Sequence, residues 1–144
     1  TENIYGIVGL SKAMDLAYSD LKAHQDHVWN LKSYMISQLK SHFDDIYFHG
    51  EIERENSLYT VLNVCFPKTE KASMLLFTLD LKGIAASGGS ACSSGSNKGS
   101  HVLDGIDADM NRPNVRFSFS RYTTMQDIDY AITEIVNIFN NNIV

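Results

Sequence analysis

Residues 114–122, NVRFSFSRY, alternate between apolar and polar side chains. Successive side chains of a β-strand point to opposite faces, so the alternation predicts a strand with one buried and one solvated face. The two predicted faces consist of Val115, Phe117 and Phe119, and of Arg116, Ser118 and Ser120. A chain that contains such a strand must cover the apolar face of its sheet with a second layer.

Two helical stripes can supply that layer. Apolar residues recur three or four positions apart from Ile7 to Leu39. The stretch is too long for one ordinary globular helix, so it predicts one long bent helix or two helices in succession. Another helix is predicted to start at Thr123, with Gln126 at the reciprocal capping position. Its predicted buried stripe comprises Ile128, Ala131, Ile132, Ile135, Val136 and Phe139.

The middle of the chain predicts a small sheet interrupted by helices. Short strands are expected from Ile46 and at 84–88, and Leu58–Phe66 is apolar on both faces, which predicts an interior strand. A helix is expected from Thr69, as N-cap, to a stop at Gly83, with one or two helical turns near residue 101. This order predicts the α+β class, as a two-layer domain with helices packed on one face of a small mixed sheet.

Composition excludes several classes of function. The 144 residues fit one domain, and 44% hydrophobic with 20% charged residues indicates an ordinary globular protein. The net charge is −5 and the twelve basic residues are scattered, which argues against binding of nucleic acid or of an anionic membrane. The two cysteines do not suggest a secreted disulfide scaffold, so a cytoplasmic location is expected. Because Thr1 is not a methionine, either the start was removed or the sequence is a piece of a longer chain.

The segment around Cys92 has an unusual composition. In IAASGGSACSSGSNKGSHVL, residues 84–103, nearly all neighbours of the thiol are glycine, serine or alanine. A structural cysteine normally packs in a core, as expected for Cys65 on its strand. The small residues around Cys92 predict an exposed, mobile thiol that could accept a group at one place and release it at another. An unreactive surface thiol is the alternative.

Two polar residues lie on the predicted strands. The planar fork of Arg116 could bind a small carboxylate, although a solvent-facing arginine paired with an acid fits the same pattern. Asn63 interrupts the apolar interior strand, where it would either satisfy backbone groups or line the edge of a cleft.

Several motifs together resemble a known family. SGGSACSSGS, SHVL and VRFSFSRYTTMQDIDYAI, in this order, are similar to the C-terminal portion of the group I cysteine desulfurases. These are pyridoxal-phosphate enzymes of the class V aminotransferase type, with PLP fold-type I. The opening TENIYGIVGLSKA and the strand LNVCF also resemble that family, so the likeness spans nearly the whole chain.

The resemblance implies a role for three residues. Cys92 matches the nucleophile that takes sulfur from L-cysteine and holds it as a persulfide, which leaves L-alanine. Arg116 matches the arginine that binds the substrate carboxylate. Thr1 matches the threonine that reaches the cofactor phosphate of the neighbouring subunit in the family's homodimer.

One departure limits what this chain can do alone. None of its eight lysines lies in the Ser-x-His-Lys context of the family's Schiff-base lysine. Residues 1–144 are therefore expected to be a single C-terminal domain, inactive in isolation, of an enzyme whose large domain binds pyridoxal phosphate. The implied function is transfer of sulfur to an acceptor or scaffold protein for iron–sulfur cluster assembly or thiolation. The alternatives are a non-catalytic partner-binding module of this fold and another class V enzyme such as selenocysteine lyase.

Overall fold

The computed structural model describes residues 1–69, 74–88 and 100–140. Within these ranges the chain forms five helices and three strands. In chain order they are α1 (Ile4–Ser19), α2 (Leu21–His42), β1 (Tyr47–His49), β2 (Val61–Cys65), α3 (Leu75–Leu81), α4 (His101–Asp104), β3 (Asn114–Ser118) and α5 (Met125–Asn140). The predicted α+β class is confirmed, and the elements follow the predicted order, except that the strand expected at 84–88 is reduced to a single bridge at Ser87.

The three strands form a sheet in the order β1-β2-β3, with both pairs antiparallel. Ser87 adds an antiparallel bridge at the free edge of β3. There the Arg116 N–H donates to the Ser87 carbonyl at 2.6 Å, and the Ser87 N–H donates to the Arg116 carbonyl at 3.1 Å. The described sheet is thus antiparallel rather than mixed. β2 and Ser87, which precede and follow α3 in the chain, run in the same direction. Because β3 lies between them in the sheet, each described pair of adjacent strands is antiparallel.

Helices α2, α3 and α5 cover one face of this sheet, as the alternation in β3 predicts. Val115, Phe117 and Phe119 are buried, whereas Arg116 and Ser118 are exposed. The core joins these strand residues to helix residues that include Leu31, Met35, Leu79, Ile128, Ile132 and Ile135. Full burial of one such side chain contributes roughly 1.5–3 kcal/mol relative to leaving it in water. The opposite face of β3 carries the polar residues Arg116 and Ser118.

The long stripe from Ile7 to Leu39 forms two helices, α1 and α2, with a break at Asp20. Of these two helices, only α2 buries apolar residues among the residues that the structure describes. Every residue of α1 is exposed, including Ile7, Leu10 and Met14. The alternative of two helices in succession is thus the correct one, and α1 differs from α2 in leaving its apolar residues exposed. A helix that is apolar on most of its surface is normally covered by other protein.

Gly83 ends α3 as predicted. Its φ of +73° lies in the left-handed region that favours glycine. The Gly83 N–H donates to the Asp80 carbonyl at 2.8 Å, and the Ile84 N–H donates to the Leu79 carbonyl at 2.9 Å. These bonds satisfy the last carbonyls of the helix. The predicted start at Thr69 differs, because α3 begins at Leu75, and residues 70–73 lie outside the described ranges.

The cap of α5 lies one residue after the predicted position. The Thr124 hydroxyl accepts a hydrogen bond from the Asp127 N–H at 3.2 Å, and the Asp127 carboxylate accepts one from the Thr124 N–H at 2.8 Å. This is a reciprocal capping box with Asp127 at the third helical position instead of Gln126. The Thr123 hydroxyl accepts from the Ser120 N–H at 3.0 Å, so it stabilises the preceding turn instead.

The capping box predicts a pH-dependent stability. The backbone N–H of Thr124, and then its hydroxyl, hold the pKa of Asp127 below its ordinary value of 3.8. A carboxyl group whose pKa is lower in the folded state stabilises the fold above 3.8 and loses this contribution as the pH falls through the folded pKa. We expect Asp127→Asn to lower the thermal midpoint at pH 7, with the difference from the wild type vanishing once Asp127 is protonated. Circular dichroism melts across this pH range measure it. The exposed carboxylate Asp44 serves as a control, because Asp44→Asn should leave the thermal midpoint at pH 7 unchanged.

Arg112 links the start of β1 to the end of β2. Its Nε donates to the Phe66 carbonyl at 2.8 Å, and its Nη2 donates to the Asp45 carbonyl at 2.7 Å. Its Nη1 contacts both Asp45 carboxylate oxygens, at 3.1 and 3.0 Å. The guanidinium carbon also lies 4.7 Å from the centre of the Tyr47 ring. Only 11% of the Arg112 side chain is exposed, whereas 56% of the Asp45 side chain is, so removal of the guanidinium would leave the Asp45 carboxylate in contact with water but would take a donor from the two backbone carbonyls.

We expect Arg112→Ala to lower the free energy of unfolding by about 2 kcal/mol, since two backbone carbonyls and a carboxylate lose their donor. Urea denaturation measures the change. Arg54→Ala is the matched control, because Arg54 pairs with Asp26 while both side chains are over 40% exposed. Exposed pairs contribute little, so Arg54→Ala should unfold at nearly the wild-type urea concentration. Equal destabilisation by the two variants would contradict this account of Arg112.

Candidate functional site

Four polar residues form a row across the uncovered face of the sheet. His49 of β1 pairs with Asn63 of β2, and Asn63 pairs with Arg116 of β3. Ser87 pairs with Arg116 on the other side. Directly opposed residues of antiparallel strands project to the same face, so the sheet register brings these four side chains together.

Two clefts meet above this row. The smaller, of about 200 Å³, is lined by Asn63, Ser87, Gly88, Ser100, Val102, Leu103, Asn114 and Arg116. The larger, of about 440 Å³, extends from Arg116 over β1 and β2 to Lys32 and the 56–58 segment. Asn63, Val102 and Arg116 line both clefts. Arg116 therefore lies where the two clefts meet.

Arg116 has a free guanidinium among the described residues. Its side chain is exposed, and it forms no hydrogen bond or ion pair within residues 1–69, 74–88 and 100–140. The alternative of an arginine neutralised by a neighbouring acid is thus not found in this part of the chain. An unpaired guanidinium in a cleft can donate two parallel hydrogen bonds to a carboxylate.

Asn63 lines the edge of the clefts, which was one of its two predicted roles. Its Oδ1 is buried without a hydrogen-bond partner among the described residues, so the predicted pairing of this oxygen with backbone groups is not found there. Leaving a buried amide oxygen unpaired costs on the order of 1–3 kcal/mol. Buried polar atoms of this kind are uncommon and often belong to functional sites.

His49 is held in one orientation by Asn114. The Asn114 Nδ2 donates to the carbonyls of Asp109 and Arg112, at 3.1 and 3.0 Å. Its Oδ1, 2.7 Å from the His49 Nε2, must therefore be an acceptor. His49 consequently carries a proton on Nε2, and it has no bond to Asn63 that would satisfy the amide oxygen beside it.

Lys32 shapes the far wall of the larger cleft. It is 2% exposed, and its Nζ donates to the Leu58 carbonyl at 2.8 Å and to the Ser57 hydroxyl. Burial lowers the pKa of Lys32. Pyridoxal phosphate requires an amine that is free to form a Schiff base, whereas this one is engaged by two oxygens of the loop that it supports. The lysine of this cleft therefore does not fit covalent attachment of that cofactor.

Cys92, the predicted nucleophile, lies outside the described residues. The positions on either side of residues 89–99 are described, and both Gly88 and Ser100 line the smaller cleft with Arg116. Cys65 is buried on β2, as predicted for a structural cysteine. Burial raises the pKa of the Cys65 thiol, which disfavours the nucleophilic thiolate.

Thr1, the third predicted site residue, precedes α1 and is exposed. It lines neither cleft, and the residues that do come from α2 and later elements. Within the described ranges, no three His, Cys, Asp or Glu side chains are grouped to hold a metal ion. No helix in those ranges is long and apolar enough to cross a membrane.

Comparison with known proteins gives consistent matches. Residues 1–131 match the family described as aminotransferase class-V. Two curated relatives are proteins named cysteine desulfurase IscS. The one from Dictyoglomus turgidum is 37% identical over 134 residues, covering 92% of this chain and 33% of the relative. The one from Photobacterium profundum is 35% identical over 131 residues, covering 90% and 31%. This chain thus spans about a third of the length of these relatives.

Two solved structures of NifS-like proteins are similar to this chain along nearly its whole length. A NifS-like protein superposes with a TM-score of 0.77 at 29% identity, and the match covers 97% of this chain and 34% of that protein. A second NifS-like protein, from Rickettsia africae, has a TM-score of 0.75 at 22% identity and covers 97% of this chain and 36% of its own. The second match supports the fold alone.

Proposed function

Because this chain belongs to the aminotransferase class-V family, we propose that residues 1–144 are the C-terminal domain of a cysteine desulfurase. In this proposal the whole enzyme removes sulfur from L-cysteine and releases L-alanine. The IscS relatives are named for the same activity and match 90% or more of this chain. Pyridoxal phosphate, bound by the rest of the enzyme, would supply the electron sink that such chemistry needs.

This chain would contribute the substrate anchor and the sulfur acceptor. Arg116 binds the carboxylate of L-cysteine through its planar fork. The Cys92 thiolate attacks the substrate sulfur, so a sulfur–sulfur bond forms while the substrate carbon–sulfur bond breaks. One L-cysteine and the Cys92 thiol thereby become one L-alanine and one Cys92 persulfide. The persulfide sulfur then passes to a thiol of an acceptor or iron–sulfur scaffold protein by the same kind of exchange.

One observation carries this proposal: Arg116 is unpaired among the described residues and shares a cleft with both flanks of the Cys92 segment. Gly88 and Ser100 line the cleft on Arg116. Cys92 is four positions beyond Gly88 in the sequence, and four residues of extended chain span at most about 14 Å. A substrate anchored by Arg116 would therefore be within reach of the thiol.

The enzyme is further proposed to be a cytoplasmic homodimer in which Thr1 contacts the cofactor phosphate of the neighbouring subunit. The exposed apolar surface of α1, which begins three positions after Thr1, supports a contact with another polypeptide. Such a surface is expected to lie against protein in the assembled enzyme.

The test is to incubate the enzyme that contains this domain and the lysine-bearing domain with L-cysteine. Equal amounts of L-alanine and of persulfide, localised to Cys92 by mass spectrometry after alkylation, would support the proposal. Alanine formation without a persulfide on this chain would overturn it. The 144-residue chain alone should form no alanine.

A further inference from the structure

Asn63 lies directly opposite Arg116 on the neighbouring strand, in the kind of cross-strand pair that brings the two side chains closest together. The Phe66 N–H donates to the Pro113 carbonyl at 2.9 Å, and the Phe119 N–H donates to the Thr60 carbonyl at 2.8 Å. Hydrogen-bonded and non-hydrogen-bonded pairs alternate along antiparallel strands. With this register Asn63 and Arg116 form a non-hydrogen-bonded pair, in which the side chains approach each other most closely.

The Asn63 and Arg116 side chains have complementary hydrogen-bonding groups. The Asn63 Oδ1 is buried and has no donor, whereas the Arg116 guanidinium has five N–H groups and no acceptor among the described residues. Two neighbouring donors among the described residues do not compete for that oxygen. The His49 Nε2–H is directed to Asn114, and the Ser87 backbone N–H is directed to the Arg116 carbonyl.

We propose that Asn63 is a positioning residue for the carboxylate anchor, with its Oδ1 accepting an N–H of the Arg116 guanidinium when a carboxylate is bound. Two guanidinium N–H groups then point at the carboxylate, and a third is fixed by the amide oxygen. Because the guanidinium is planar and rigid, the directions of its N–H bonds are fixed relative to one another. A hydrogen bond from one N–H to Asn63 therefore also orients the two N–H groups that bind the carboxylate. The inference rests on the proposed function, because it assigns Arg116 to the substrate carboxylate.

The test is a double-mutant cycle in the enzyme that contains both domains. Asn63→Leu removes the acceptor at similar volume, Arg116→Lys removes the fork, and the third variant carries both changes. Two quantities are measured for each: KM and kcat with L-cysteine, and the affinity for L-alanine by calorimetry. Ser118→Ala, on the same strand face but opposite Val61, is the control.

We expect Asn63→Leu to raise KM and weaken L-alanine binding roughly tenfold, as for loss of a hydrogen bond to a charged group, with kcat changed less than threefold. In the Arg116→Lys background the same substitution should have almost no further effect, because the residue acts through the guanidinium. Ser118→Ala should resemble the wild type.

Equal effects of Asn63→Leu in the two backgrounds would overturn the inference, as would an unchanged KM with only a lower melting temperature. These results are separable from failure of the proposed function. If the wild type formed no alanine from L-cysteine, the desulfurase proposal would fail, while the calorimetric cycle with L-alanine would still decide the role of Asn63.

Discussion

Replacing Cys92 by alanine in the enzyme that contains both domains should lower the rate of L-alanine formation from L-cysteine by ~1,000-fold or more. The expected loss is large because the other thiol of this chain, Cys65, is buried, and removal of a covalent nucleophile usually eliminates most of the catalysis. Binding of L-cysteine should persist, since Arg116 is unchanged. The measurements are alanine formation over time and the persulfide content of the alkylated protein.

Cys65→Ala is the matched control, because it removes the other cysteine of the chain. Cys65 is 2% exposed, and burial raises the pKa of its thiol, so it should form little thiolate near neutral pH. Its loss should cost about 1 kcal/mol of unfolding free energy by removing a buried group, with the desulfuration rate unchanged. Persulfide on Cys65 in the Cys92→Ala variant, together with a wild-type rate, would contradict the assignment of the nucleophile.

The fold was predictable wherever the signal is local. Alternation in 114–122 depends only on the two-residue period of a strand, and it placed Arg116 on the polar face correctly. Gly83 could be recognised as a helix stop because a left-handed φ favours glycine. The cap of α5 was displaced by one residue because Thr123 and Thr124 are adjacent and both can cap. Only the hydrogen bonds distinguish them.

The site was less predictable because it depends on contacts between distant residues. Ser87 lines a cleft because it forms a β-bridge with Arg116, and Lys32 lines the other cleft from α2. The pattern of a single sequence does not show that either segment packs beside β3. Lys32 did carry a signal, since it lies within the buried stripe of α2 beside Leu31. Nothing in the sequence predicted that α1 would be exposed, because an apolar stripe predicts burial but does not show which polypeptide covers it.

Arg116 provides the second large effect. We expect Arg116→Lys to raise KM for L-cysteine roughly 100-fold, although the positive charge is kept. An ammonium group is a compact donor that cannot hold both carboxylate oxygens in the plane that a guanidinium defines. The reactive sulfur is part of the same small molecule, so a tilted carboxylate also misplaces the sulfur, and kcat should fall as well, though by less. Steady-state kinetics over a wide range of L-cysteine concentration separates the two effects.

Arg121→Lys is the control for this substitution. Arg121 is three residues beyond the end of β3, is exposed, and lines neither cleft at Arg116. Its conversion to lysine should leave KM and kcat within twofold of the wild type, since an exposed arginine away from the site contributes little. An anchor that worked by charge alone would tolerate lysine at position 116 equally well. A wild-type KM for Arg116→Lys would therefore reject fork-based recognition, and the role of Asn63 in aiming that fork would be rejected with it.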